Sequence, residues 1–321
     1  MPLITTHNFF AGEVLKQTKP IISKIITEKQ HIYELFAQGF DPLFFYEILP
    51  FHKKIGNFCH THYTDTFFLN FIHLIKQKNL QHHPDVMAAL FGHLTHYTLD
   101  NTYHPFIIYK TGEYKKAKPE TLKYNGLHTK MEMQIDAYIY EKKTNLKFSQ
   151  FKIHKQLIPK EKLDKDLLEI LNQTYEKTFS IKKGGKKYQK GYKLMYYAYK
   201  FLIVDPTGLK KKIYRWIDKW TPKKEGIYEN YNSHITNINT SIFNLEHKLW
   251  YNPWDNTITS RESFFDLYEK AQKTCLTLFE ATEQFMKDQI TETEYKKILQ
   301  DKAYTTGFSW KIKKEMKYLE F

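Results

Sequence analysis

The chain has 321 residues, with 47 Lys and 2 Arg against 35 acidic residues, a formal net charge of +14. Its 41% hydrophobic and 17% aromatic content can fill a core and excludes intrinsic disorder, and no run approaches the roughly 20 apolar residues of a membrane-spanning helix. Two cysteines, Cys59 and Cys275, exclude a disulfide framework and a cysteine-based zinc site, so a bound metal must be held by nitrogen and oxygen.

The opening Met-Pro-Leu-Ile-Thr-Thr-His has neither the basic nor the apolar region of a signal peptide, which predicts a cytoplasmic protein. Apolar residues then recur three and four apart without a series of alternating strands, so the predicted fold is all-α, a multi-helix bundle. A first helix is expected over 6–18, capped by Thr5 or Thr6, and a second over 21–38 ending at Gly39. Residues 39–46 read as a loop of locally packed aromatics, with Asp41 kept non-helical by Pro42. Gly56 to His60 opens or precedes a helix containing Phe67, Phe68, Phe71 and Ile72.

A helix over about 84–99 is expected to end before a loop carrying His104 and Pro105, followed by an exposed Lys-rich connection over 111–123. The next helix, over 125–141, sets Leu127, Met131, Ile135 and Tyr138 beside a stripe of His128, Glu132 and Asp136. Further helices are expected over 161–179, 188–203, 207–219, 237–249, 260–288 and 291–300. Residues 1–145 are read as a metal-binding region and 146–321 as a helical region packed on it in one continuous domain.

Histidine and lysine are distributed in opposite ways. Twelve of the 15 histidines fall within residues 1–128, whereas residues 141–321 carry 12 of the 14 net positive charges. The basic half fits an anionic membrane surface or nucleic acid, although a Lys, Tyr, Ile and Asn bias also arises without such a partner.

Residues four apart on a helix share a face, so His96 with Asp100, and His128 with Glu132, can each aim a nitrogen and an oxygen at one point. One such pair fits a solvated ion pair better than a metal site. Two of them, on stripes that would otherwise be core and with His104 between, point to metal.

His7, Asp41-Pro42, Gly56-Asn57-x-x-His60, His96-x3-Asp100, His104-Pro105, Tyr124-Asn125-Gly126-Leu127 and His128-x3-Glu132 occur in the order seen in zinc-dependent phospholipase C. Over roughly residues 1–140 the chain resembles that family, and especially its small bacterial branch without signal peptides. The related S1/P1 nucleases share the metal layout.

The resemblance implies an all-α fold with Zn2+, two or three ions. One would be held by Asp41, His60, His96 and Asp100, and a second by His104, His128 and Glu132. Asp100 would bridge to a third, also held by His7. Family members complete that third site with the N-terminal amine, a role that would fall to Pro2 after removal of Met1.

The expected activity is hydrolysis of a phosphodiester by a zinc-held hydroxide, with a phospholipid head group as substrate and Asp41 as general base. One alternative is a single-strand nuclease, and another a non-catalytic protein that lies on a membrane with metals only for stability. His52 and His62 compete with His60. His93 is read as packing or support for a neighbouring ligand, and His31, His73, His82, His83, His154, His234 and His247 as surface or core. Asp136 is a candidate to accept a hydrogen bond from a ligand imidazole.

Overall fold

A computed structural model describes residues 4–46, 54–115, 117–156, 162–220 and 227–320. Pro2 and His52 lie outside them. The described chain is all-α apart from one two-stranded hairpin.

Its axis is a single long helix, α7 (Pro84–Thr111), which is buried on almost every face from Asp85 to Thr111. Apolar residues lie around its whole circumference rather than along one stripe, with buried polar groups such as His96, Asp100 and His104 among them. Before it come α1 (Ile4–Gln17), α2 (Pro20–Glu28), α3 (Gln30–Phe36), α4 (Pro42–Tyr46), α5 (Lys54–Thr61) and α6 (Thr64–Gln77). After it come α8 (Leu127–Thr144), α9 (Ile153–Gln156), α10 (Lys165–Phe179), α11 (Gly184–Ala198) with a π turn over Tyr199–Ile203, α12 (Leu209–Trp220) and α13 (Ile227–Asn230). Strands β1 (Trp250–Asn252) and β2 (Asp255–Ser260) then lead to α14 (Phe264–Met286) and α15 (Glu292–Leu299). Helix α14 lies along α7, with Phe279 edge-on to Phe91, and it reaches α1 where Tyr268 meets Phe10.

Six local expectations are corrected. His104 and Pro105 are not in a loop, because α7 continues through them to Thr111. Proline lacks the N–H that would bond the carbonyl four residues back, and here Gly307 packs closely against that Asn101 carbonyl and the Pro105 ring. The helix expected over 21–38 breaks at Lys29, whose backbone (φ −132°, ψ 45°) is non-helical and whose ammonium pairs with Asp85. The aromatic segment 42–46 is helical, with Pro42 at its first position, where a missing N–H costs nothing, while Asp41 stays outside it.

Residues 237–249 are not a helix but a short 3-10 turn (Thr240–Phe243) running into the hairpin. Asn244 and His247 there have left-handed backbones at φ 51°, and the Asn244 amide bonds Lys248 and the carbonyls of Arg261 and Glu262 in place of a helical ladder. At the start of α1, Thr5 and Thr6 are not caps but lie within the first turn. Their amides, and the Thr6 hydroxyl, donate to the buried carboxylate of Asp136 on α8. Asp136 thus anchors a helix end rather than an imidazole.

Candidate metal centre

Steps of four along α7 bring His96, Asp100 and His104 onto one face, and the same step along α8 brings up His128 and Glu132. Helix α1 contributes His7, the turn before α4 contributes Asp41, and α5 contributes His60. Asp100 is the hub. Its Oδ1 is 3.1 Å from His7 Nε2, and its Oδ2 is 3.1 Å from His96 Nε2 and 3.6 Å from His104 Nδ1. Asp41 Oδ1 lies 3.1 Å from His60 Nε2 and 4.0 Å from His96 Nε2. Glu132 Oε1 is 3.0 Å from His128 Nε2 and 3.5 Å from His104 Nε2. All eight residues are therefore linked in one network, and all but half-buried His128 are buried.

Within this network, three groups bring ligand atoms within 4.8 Å of one another: His7, His96 and Asp100; Asp41, His60 and His96; His104, His128 and Glu132. His96 belongs to two of them, its Nε2 facing the carboxylates of both.

Main-chain carbonyls orient three of the rings. His60 Nδ1 donates to Gly56 O at 2.8 Å, His96 Nδ1 to Ala37 O at 3.2 Å and His104 Nδ1 to Tyr304 O at 3.1 Å. A carbonyl can only accept, so Nδ1 carries a proton and Nε2 is the nitrogen turned toward the carboxylates. At His96 that nitrogen is buried without a hydrogen-bond partner although carboxylate oxygens surround it. A bare lone pair facing anionic oxygens is repulsive, so either a proton on that nitrogen or a bound cation must lie between them. The donor set of imidazole nitrogens and carboxylate oxygens fits zinc.

The charges agree. Burial would raise the Asp100 and Glu132 carboxyls, but the imidazoles facing them hold both well below the usual range: His96 and His104 at Asp100, His128 and His104 at Glu132. Burial likewise opposes ionisation of Asp41, yet the facing imidazoles of His60 and His96 leave its carboxyl lowered. At His104 burial is outweighed by Asp100 and Glu132, which raise the imidazole.

Several contributors were not anticipated. The Tyr103 hydroxyl donates to Asp100 Oδ1 at 3.1 Å and lies 3.5 Å from His7 Nε2. Its position three residues after Asp100 is a signal that helical spacing could have found. Tyr304 accepts from His104, donates its amide to His60 O, and sets its ring beside those of His60 and His96. No local pattern marks it.

The remaining histidines stand apart. His62 stacks on Phe58, and His93 is buried among Phe40, Phe67 and Phe68. His83 forms a surface cluster with Asp164 and Asp166, where the Asp164 carboxylate already caps α10. A cleft of about 580 Å3 beside Lys130, Gln134 and Asn239 opens on another face of α8 and shares no residue with the eight.

Comparison with known proteins agrees with this geometry. The family model described as zinc dependent phospholipase C matches residues 6–185, a span that contains every residue of the network. No curated protein sequence and no solved structure matches the chain. With more than half of its length covered by that match, the chain belongs to the zinc-dependent phospholipase C family.

Proposed function

We propose that this protein is a zinc-dependent phosphodiesterase that releases the phosphorylated head group of a phospholipid. The observation that carries this reading is the joining of three buried nitrogen and oxygen groups through Asp100 and His96. In the proposed assignment Asp41, His60, His96 and Asp100 hold one ion, and His104, His128 and Glu132 another. His7 with Asp100 contributes to a third. Zinc in such a cluster supplies Lewis acidity toward the phosphoryl oxygens and makes water acidic enough to attack phosphorus near neutral pH.

The chain's own residues divide the remaining work. Asp41 is kept ionised by His60 and His96 despite its burial, so it is fit to accept the proton of the attacking water. Tyr103 and the carbonyls of Ala37, Gly56 and Tyr304 hold the donor atoms in place. His128 is the least buried of the eight, which puts the approach for substrate on the α8 side.

The test is an assay of a soluble short-chain phosphatidylcholine beside single-stranded DNA, with elemental analysis of the same preparation. Lipid hydrolysis with two or three zinc atoms per chain is expected. Absence of zinc, or preferential cleavage of DNA, would overturn the assignment.

A further inference from the structure

Helix α12 is mounted inside out. Its inward side is polar: Lys210 Nζ bonds the carbonyl of Val204, Lys211 Nζ that of His234 at 2.7 Å, and the Tyr214 hydroxyl that of Leu202 at 2.9 Å, while Asp218 accepts the amide of Tyr228. Its apolar residues face solvent. Leu209, Ile213, Trp216 and Trp220 follow at steps of four, three and four, which confines them to an arc of about 60°. Trp216 is 63% and Trp220 76% exposed. Exposed Lys212 and Lys219 run along one flank of this stripe.

The adjoining π turn adds to it. Phe201 and Leu202 are 56% and 57% exposed, the Phe201 ring is stacked with Tyr197, and Lys200 lies 4.9 Å over it. The bond from Tyr214 to Leu202 ties this turn to α12. Six large apolar side chains on two joined elements exceed the scattered exposure of an ordinary surface.

We infer that α12 and the π turn dock the protein on a lipid bilayer carrying anionic head groups. Tryptophan and leucine on one face, with lysines beside them, are the composition of a helix that lies in the membrane interface with its cations at the head groups. No helix among the described residues is long and apolar enough to cross a membrane, so the contact is peripheral. The charge of the chain favours lipid over a second copy, since residues 141–321 carry a net charge of +12 and facing copies would set Lys212 and Lys219 against like charge.

Placement gives the face a use. Helix α13, which follows α12, bonds through Asn230 to the Gly126 carbonyl at the start of α8, one turn or less from His128. The helix that carries the docked face is thus tethered, through α13, to the end of α8 that carries His128. This use rests on the phospholipase reading, whereas docking itself does not.

The experiment uses the full, zinc-loaded chain and vesicles of phosphatidylcholine analogues in which carbon replaces the scissile oxygen, with or without the matching phosphatidylglycerol analogue. Binding is read by co-sedimentation and by the blue shift of tryptophan emission. The wild type should bind, and more tightly with the anionic lipid. Trp216→Ser/Trp220→Ser should lower partition by at least about tenfold, and Lys212→Glu/Lys219→Glu should abolish the anionic preference. Zinc content and hydrolysis of a soluble short-chain ester should be unchanged in both, which also shows that the variants are folded.

Wild-type protein that stays in the supernatant, variants that bind equally, or a dimer that the tryptophan substitutions dissociate would overturn the inference. Soluble-ester hydrolysis without vesicle binding defeats docking alone. Vesicle binding without any hydrolysis supports docking while removing the phospholipase reading.

Discussion

Gly39 lies directly against the imidazole of His96: a Cβ built at position 39 would fall far inside van der Waals contact with the ring. The backbone at Gly39 is also left-handed, at φ +47°. Gly39→Ala therefore meets two obstacles, a left-handed conformation costing about 1–2 kcal/mol and a clash relieved by moving His96. Zinc affinity is expected to fall by about 10–100-fold, measured by competition with a chromogenic chelator. Unchanged affinity would show that His96 is not a ligand.

The α7 and α8 pairs make a second test. His96→Ala and His128→Ala should each lower bound zinc and activity together, whereas His82→Ala, at an exposed position outside the network, should alter neither. Full zinc content in both of the first two variants would contradict the assigned ligands.

Tyr103→Phe removes only the hydroxyl that donates to Asp100. Zinc affinity should weaken by about 10–100-fold with secondary structure unchanged, read by the same competition and by circular dichroism. Wild-type affinity would make that hydrogen bond irrelevant to the site.

Asp136 gives a pH prediction. Burial, outweighing the donors on Thr6 and Thr5, pushes its carboxyl up to about 8. A raised acid holds its proton in the folded state after the unfolded chain has lost it, so its contribution is full below about pH 4 and declines as pH rises toward 8. In zinc-free protein, Asp136→Asn should flatten the fall in urea midpoint between those limits. Asp136→Ala should destabilise at every pH, by roughly 1–3 kcal/mol for each buried donor it strands. Parallel wild-type and Asn profiles would refute the raised carboxyl.

Zinc uptake should release protons. The raised His104 imidazole stabilises the metal-free fold below its unfolded value of about 6.5, and this is lost as pH rises through its higher folded value. The depressed Asp100 and Glu132 carboxyls contribute above about pH 4 and are lost on acidification. Near pH 6 zinc must therefore displace protons from imidazole rather than from carboxylate. Calorimetry in buffers of different ionisation enthalpy should detect the release, and zinc affinity should rise with pH. A pH-independent affinity would exclude imidazole ligation.

Helical periodicity made much of the centre legible. His96 and Asp100 could be placed on one face, as could His128 and Glu132, because steps of four need no knowledge of the tertiary fold, whereas the sequence reading puts His104 in a loop. Pro105 misled because a proline normally ends a helix, whereas here α7 runs on through it to Thr111. The hairpin after residue 249 escaped notice because strand Asp255–Ser260 is mostly exposed and has no buried alternation to detect. Asp136 sits on the right stripe, but its partners are the Thr6 hydroxyl and two main-chain amides, the latter the same for every residue type. The outward stripe of α12 reads in sequence as an ordinary amphipathic helix, since periodicity does not say which side faces in.

The bond from His104 to the Tyr304 carbonyl spans 200 residues and sets a timetable. At about 5–20 residues per second of synthesis, roughly 10–40 s separate the appearance of the two residues on the ribosome. Through that interval the nascent chain has most of its imidazoles and carboxylates but lacks the carbonyl that accepts from His104 Nδ1. Selective metal capture is thus expected to wait until the segment around Tyr304 has folded back onto α7.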